Sequence, residues 1–139
     1  MKYLSTLFIA LVSFVLLQCK KPAKAIETVF VVSPFSCSNT ETNKSIDYFI
    51  CVDSLYDSRC PANVNCPWAG FAKVKVKFHE GNNVYSFEMS LTKFPAIGLT
   101  NDTTLNGYRI IFTDVLPYPG STSPSPTPSD KKCYFKITQ

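Results

Sequence analysis

Apolar and polar residues alternate along much of the chain after residue 26, and the alternation is clearest between residues 73 and 78. Lysines there alternate with Val74, Val76 and Phe78, which predicts a strand with one face toward a core and the other toward water. A second alternating run begins after the turn-forming residues 80–83, so we predict an antiparallel hairpin. The inward residues of its second strand are Tyr85, Phe87, Met89 and Leu91.

Four other segments are rich in alternating β-branched and aromatic residues and also predict strands: 27–32, 46–52, 108–112 and 133–137. No segment of comparable length has the apolar spacing and caps of an amphipathic helix. We therefore predict one all-β domain over residues 26–139, folded as a single antiparallel β-sandwich of about six or seven short strands.

Loops are predicted for two segments. Residues 117–128 hold five of the ten prolines together with serine and threonine, a composition that excludes the segment from the interior of a sheet. Residues 95–107 are the second predicted loop.

The N-terminus has the pattern of an export signal. Lys2 is followed by an apolar stretch over residues 4–17, the size expected of a secretory signal peptide. The stretch runs into Leu-Leu-Gln-Cys19, and a cysteine at this point resembles the lipobox of bacterial lipoproteins, whose cysteine is diacylated and becomes the new N-terminus. We predict a lipoprotein signal peptide over residues 1–18, with lipidated Cys19 and a short tether over residues 19–25.

Two other interpretations of this segment stay open. Residues 23–25, Ala-Lys-Ala, have the form of an ordinary signal-peptidase site, and cleavage there would release a soluble secreted or periplasmic protein beginning at Ile26. An uncleaved signal would anchor the domain outside the membrane. Lipidation is preferred because two lysines and a proline directly after the apolar stretch suit a lipoprotein tether. Lys20 does not resemble an inner-membrane retention signal, so the expected location is the cell envelope, lipid-anchored at the outer membrane.

Composition and charge narrow the function classes. The 139 residues are 45% apolar, 14% aromatic and 17% charged, which is typical of a globular protein. Four of the fourteen Lys and Arg residues precede residue 26, so the domain carries ten cations against ten Asp and Glu. Arg59 and Arg109 are the only arginines, and no cationic cluster is present to neutralise phosphates, which argues against nucleic-acid binding.

Export to an oxidising compartment favours disulfides over metal sites for the cysteines. Five cysteines remain when Cys19 is set aside, so at least one has no partner within the chain. Cys60 and Cys66 are separated by a turn that contains proline and asparagine, and we predict that they pair. His79 is the only histidine, so neither a metal nor another cofactor is predicted.

The second disulfide is less constrained by the sequence. Cys37 with Cys133 would tie an early strand to the final strand, and this pair is preferred. Cys51 is disfavoured because its side chain points away from the inward residues of the 46–52 strand. Other connectivities among these cysteines stay open.

A signature of small residues, cysteines and a tryptophan follows the 46–52 strand. Residues 57–61 read Asp-Ser-Arg-Cys-Pro, and Val64, Cys66, the Trp-Ala-Gly of residues 68–70, Ala72 and Val74 complete it. The pattern DSRCP…V.C.WAG.A.V resembles a signature of small uncharacterised bacterial lipoproteins that are frequent in Bacteroidetes. The resemblance extends to residues 114–119, Asp-Val-Leu-Pro-Tyr-Pro. It implies an exported, lipid-anchored β domain and no particular activity.

The signature segment predicts a loop that carries the only tryptophan of the chain. In the preferred interpretation the loop is a structural corner, with Trp68 plugging one end of the sandwich and Arg59 paired with Asp57 or Asp53. In the other, four residues form a recognition loop: Arg59, Pro61, Pro67 and Trp68. A stapled loop loses little entropy on binding, and Trp and Arg are frequent at binding hot spots. A calcium site at the two aspartates has little support because the loop lacks the ligand spacing of such sites.

Two functions are consistent with these patterns. The preferred one is a non-catalytic cell-envelope lipoprotein, a monomeric binding or accessory module attached to the membrane through its lipid anchor. The alternative is an extracellular protease inhibitor that inserts residues 60–70 into a protease cleft. The expected partner is another protein, which is a protease in the second case. An enzyme is not predicted, because the sequence lacks a nucleophile motif, an evident carboxylate pair and a Gly-rich phosphate loop.

Overall fold

A computed structural model describes three ranges of the chain: 27–38, 48–121 and 123–139. The predicted signal peptide at residues 1–18 lies outside the described residues, and so do Cys19 and the tether over residues 19–25. Within the described ranges, no helix is long and apolar enough to cross a membrane.

Eight β-strands and two single-turn 3₁₀ helices form the part of the chain that the structure describes. The strands are β1 (Glu27–Val32), β2 (Ser36–Cys37), β3 (Tyr48–Asp57), β4 (Ala72–Glu80), β5 (Asn83–Ser90), β6 (Asp102–Leu105), β7 (Tyr108–Leu116) and β8 (Lys132–Thr138). The 3₁₀ helices are Pro95–Ile97 and Pro128–Asp130. The strands form a first sheet of order β1-β8-β7-β6 and a second sheet of order β2-β3-β4-β5, with antiparallel pairing throughout. The predicted antiparallel β-sandwich is confirmed.

The predicted hairpin is formed by β4 and β5. Glu80 pairs with Asn83 at its tip, and Val74, Val76 and Phe78 face inward with no exposed surface. The lysines of β4 therefore lie on the outer face of the second sheet, as the alternation predicts.

The core lies between the two sheets and takes residues from both. Its largest fully buried side chains are Phe78, Phe112, Phe135, Ile50, Met89, Ile110 and Ile137. Burying one such side chain stabilises a fold by about 1.5–3 kcal/mol. The inward positions of the alternating runs therefore supply most of the driving force for packing the sheets together.

The sandwich has two distinct ends, which we call the tether end and the loop end. At the tether end, β1 begins at Glu27 and pairs with Thr138 at the end of β8. The Tyr48 hydroxyl at the start of β3 donates a 3.4 Å hydrogen bond to Thr28 Oγ1, which places the start of β3 at the same end. The loop end is formed by the connections at residues 33–35, 58–71, 91–101 and 117–131.

The loop predictions were partly correct. The described residues of 117–128 contain no strand, as predicted. The prediction of a loop over 95–107 was wrong in part, because β6 lies within it and pairs with β7. The sequence of β6 is Asp-Thr-Thr-Leu, which is short and largely polar, so it shows no alternating pattern.

Candidate functional site

A buried ion cluster holds the base of the 58–71 loop. The Asp57 carboxylate accepts two 2.8 Å hydrogen bonds from the Arg59 guanidinium and another from Lys131 Nζ. The exposed fractions of the Asp57, Arg59 and Lys131 side chains are 4%, 10% and 5%. Burial raises the pKa of Asp57, but the hydrogen bonds from Arg59 and Lys131 outweigh burial and hold the pKa below its ordinary value. The Asp57 carboxyl is therefore ionised at neutral pH.

Arg59 also joins the two parts of the sequence signature. Its Nη2 donates a 2.8 Å hydrogen bond to the Val115 carbonyl oxygen, although the two residues are 56 positions apart. Its guanidinium carbon lies 4.5 Å from the centre of the Tyr118 ring, which is the range of a cation–π contact. Asp114 lies 3.7 Å from Nη1 and provides a second, more exposed carboxylate. The expected pairing of Arg59 with Asp57 is present, and Arg59 is a structural anchor rather than an exposed recognition residue.

Covalent and backbone contacts clamp the loop itself. Cys60 and Cys66 form the predicted disulfide, with their Cα atoms 5.9 Å apart. The Cys60 N–H donates a 2.8 Å hydrogen bond to the Ala69 carbonyl, so the two arms of the loop are paired at its base. The Ala62 N–H donates to the Pro119 carbonyl at 2.9 Å, which fastens the tip to the proline-rich segment.

Two glycines of the signature region are required by close packing. Gly70 has φ = +68°, and a Cβ added there would lie 1.9 Å from the carbonyl oxygen of Ser58. Gly120 packs against the loop tip, where a Cβ would lie 2.4 Å from Asn63 Oδ1. The two arms of the loop therefore pack too closely at Gly70 to accept a residue with a Cβ. The same holds at Gly120, where the proline-rich segment packs on the loop tip.

The preferred second disulfide was wrong. Cys37 pairs with Cys51, not with Cys133. Cys37 and Cys51 are directly opposite in the β2–β3 register, on the outer face of the second sheet. Cys133 points into the core from the first sheet, is fully buried and is unpaired. Since β2 has only two residues, its pairing with β3 gives no periodic signal in the sequence.

The expectation that Trp68 plugs the sandwich was also wrong. Trp68 is 73% exposed, so its indole ring projects into water. Pro67 is exposed beside it, and Pro61 is half-buried under the clamp from Pro119. The signature loop is thus a structural corner at Arg59, and it leaves Trp68 exposed.

Other large apolar side chains are exposed at the same end of the molecule. Besides Trp68, they are Phe35 (69%), Val64 (55%), Ile97 (68%) and Leu116 (40%). Each lies in, or directly beside, a connection of the loop end. We call these five residues the loop-end apolar surface. Phe35 is also held at φ = +63°, a conformation that is rare for a bulky residue and is found preferentially at functional positions.

Charge on the loop end is largely neutralised within the fold. Residues 60–70 contain no charged side chain. Lys93 pairs with Asp102 at 3.3 Å, and Asp130 accepts hydrogen bonds from Thr127 across the second 3₁₀ helix. The apolar surface therefore stands in an environment with few free charges, which suits a partner with an apolar contact surface.

The remaining candidates for chemistry are dispersed. His79 stacks on Phe49, with ring centres 4.2 Å apart, on the outer face of the second sheet near the tether end. Asp53 pairs with Lys77 at 2.9 Å, whereas Asp57 lies in the buried cluster with Arg59 and Lys131. In the described part of the chain, no group of three or more His, Cys, Asp or Glu residues is placed to hold a metal ion.

Sequence reasoning missed two contributors to this end of the molecule. Lys131 lies in a polar, proline-rich segment whose sequence is typical of an exposed lysine. Only the fold shows that its side chain is buried and paired with Asp57. Phe35 lies in a Ser-Pro-Phe-Ser segment whose turn composition was visible, but the sequence gives no sign that the ring is exposed.

Comparison of the chain with protein-family models, with curated proteins and with solved structures found no significant match. The resemblance to bacterial lipoproteins is therefore supported by the signature residues alone and stays a prediction.

Proposed function

We propose that this protein is a non-catalytic, envelope-anchored binding module whose recognition surface is the loop-end apolar surface. One observation supports this most strongly. Trp68 is 73% exposed on a loop that is closed by a disulfide and fixed at its base by a buried ion cluster. Keeping a large aromatic ring in water on a rigid loop has no benefit for folding, since the apolar surface stays unburied.

The rigidity of the loop favours binding. Ordering a loop on association costs conformational entropy, and here the Cys60–Cys66 disulfide and the Gly70 packing have already removed most of that freedom. Tryptophan is the residue most enriched at binding hot spots, where it fills a pocket of the partner. Trp68 is therefore the proposed anchor residue, and Val64 is a second exposed apolar residue of the same loop.

The topology agrees with a membrane anchor at the opposite end. The chain enters the sandwich at Glu27, and β7 runs nine residues from the tether end to the loop end. At about 3.3 Å per residue this separates the two ends by roughly 26 Å. A lipid at Cys19 would thus hold the tether end near the membrane and present Trp68 away from it.

The anchor is tested by the intact mass of protein extracted from membranes, measured with alkylation before and after reduction. We expect a chain that begins at acylated Cys19 and holds two disulfides. A soluble chain that begins at Ile26 would contradict the anchor and leave a diffusible binding module.

The recognition surface is tested by photo-crosslinking in the intact host cell. A photoreactive phenylalanine analogue replaces Trp68 in the full-length protein, and the matched control replaces Val84, which is 54% exposed at the tether end. We expect a discrete adduct from position 68 that is absent from position 84. The proposal is wrong if position 68 gives no adduct or if both positions give the same one. Turnover of ester, phosphate or glycoside substrates by the purified protein would contradict the non-catalytic part.

Protease inhibition is a second, less supported function. The loop has the rigidity that an inhibitor needs, but the chain bends at Pro67 and Trp68, whereas a protease cleft accepts an extended segment. A panel of serine and cysteine proteases tests it directly. Inhibition that is lost in Trp68→Ala would support the inhibitor, and a panel without inhibition would exclude it for those enzymes.

A further inference from the structure

A second surface, which does not include Trp68, lies on the outer face of the second sheet beside the 58–71 loop. There β3, β4, β5 and Phe71, the last residue of that loop, enclose an open groove of about 380 Å³. Its lining residues are Ser54, Leu55, Tyr56, Phe71, Lys73 and Glu88. The volume is at the lower end of the range for small-molecule sites, and the groove is open enough to admit an internal segment of a longer chain.

An exposed aromatic ring forms the apolar part of the groove. Tyr56 is 56% exposed on the outer face of the second sheet, one residue before the end of β3. Its ring centre is 5.6 Å from that of Phe71, and Phe71 is in turn supported by Phe94 at 5.2 Å in an edge-to-face contact. Tyr56 is therefore held in place by neighbouring rings while much of its own surface faces water.

A charge pair forms the polar part. Lys73 Nζ lies 3.2 Å from both carboxylate oxygens of Glu88. Their side chains are 32% and 46% exposed, so an ammonium donor and a carboxylate acceptor are accessible side by side. The exposed Ser54 hydroxyl adds a group that both donates and accepts. The charges of Lys73 and Glu88 cancel, so the groove has no net charge of its own.

We propose that this groove binds a neutral oligosaccharide. A pyranose ring has an apolar face of C–H groups, which packs on an aromatic ring, and an edge of hydroxyl groups that donate and accept hydrogen bonds. Tyr56 supplies the aromatic ring, and the Lys73–Glu88 pair supplies adjacent partners for neighbouring hydroxyls. An anionic ligand would be repelled by Glu88 or would have to break its pair with Lys73. An entirely apolar ligand would remove water from the Lys73–Glu88 pair and offer it no hydrogen bonds in return.

Binding is tested with the full-length protein and defined probes. Cellohexaose, xylohexaose, maltohexaose and chitohexaose are titrated by calorimetry, with hexagalacturonate as the acidic comparison. We expect at least one neutral hexasaccharide to bind with a Kd of about 0.1–1 mM. Tyr56→Ala should weaken that binding by about tenfold, and Tyr56→Phe, which keeps the ring, should retain it. Glu88→Gln should weaken it by a smaller factor, because Gln keeps a hydrogen-bond acceptor but lacks the negative charge that pairs with Lys73.

Trp68→Ala is the matched control, since it removes an exposed aromatic ring outside the groove, and it should leave saccharide binding unchanged. The saccharide site does not depend on the proposed recognition role of Trp68, and the two can fail separately. Three results would overturn the saccharide proposal: no binding of any neutral probe up to about 10 mM, binding that Tyr56→Ala does not change, or binding of the acidic probe alone.

Discussion

Asp57→Ala removes the carboxylate that pairs with both Arg59 and Lys131. The Arg59 and Lys131 side chains are only 10% and 5% exposed, and Lys131 would lose its ion-pair partner. Removing one partner of a buried ion pair costs about 3–5 kcal/mol, because the remaining charge is desolvated without compensation. A domain of this size has about 5–15 kcal/mol of total stability. We therefore expect Asp57→Ala to remove about a fifth or more of the free energy of unfolding.

The measurement is urea denaturation of the purified full-length protein at neutral pH, followed by far-UV circular dichroism. With a slope of about 2 kcal/mol per molar urea, the expected loss lowers the midpoint by roughly 2 M. Lys131→Met in the Asp57→Ala background should recover part of the loss, since it removes one of the stranded cations. The coupling between Asp57 and Lys131 should then amount to about 0.5–3 kcal/mol.

Glu88→Ala is the control for losing an ion pair that is open to solvent. Its partner Lys73 is 32% exposed, and such pairs contribute less than about 1 kcal/mol. The reasoning is refuted if Asp57→Ala and Glu88→Ala lower the urea midpoint equally, because burial of the cluster would then have no energetic consequence.

Three further predictions concern the same end of the molecule and the core beneath it. Gly70→Ala should destabilise the protein by about 2 kcal/mol more than Gly81→Ala, as measured by denaturant titration. Both glycines have positive φ, but only at position 70 would an added Cβ clash with a neighbouring atom. Equal losses of stability in the two variants would contradict the close packing at Gly70. Burial raises the pKa of Cys133 to about 12, so iodoacetamide should label this thiol only after the protein unfolds. Labelling is followed by mass spectrometry, and rapid labelling of the native protein would contradict the burial of Cys133. The pKa of Asp57 is lower in the folded protein than in the unfolded chain, where it is about 3.9. Ionised Asp57 therefore stabilises the fold fully above the unfolded pKa, and this stabilisation is lost as the pH falls through the folded pKa. The difference in unfolding free energy between wild type and Asp57→Asn should therefore be constant above about pH 5 and shrink below pH 4, and a difference that grows on acidification would contradict it.

The alternation of residues was sufficient to predict the sandwich. Val74, Val76 and Phe78 show why, since each inward position of the run is fully buried and each lysine is not. Burial on one face of a strand imposes a period of two on the sequence, so long strands can be recognised from their own residues. β2 and β6 were missed because two or four residues are too few for that period to appear.

The candidate site was less predictable because its contacts are distant in sequence. The Cys60–Cys66 pair was predicted, since the turn between the two residues is local. The Cys37–Cys51 pair depends on how β2 pairs with β3, and Lys131 reaches Asp57 across 74 residues, so neither leaves a local signal. The exposure of Trp68 could not be predicted for a different reason. The local sequence around a tryptophan in a loop is the same whether its ring is buried or exposed.

The position of the last strand affects when the fold can form. β8 lies between β1 and β7 in the first sheet, although its residues 132–138 follow those of every other described strand. Pairing of Glu27 with Thr138 joins positions that are far apart in the sequence, and such distant contacts form late because the intervening loop must be closed first. Because β8 is the strand that pairs with β1, β1 and β7 belong to one sheet only after residues 132–138 have paired with both.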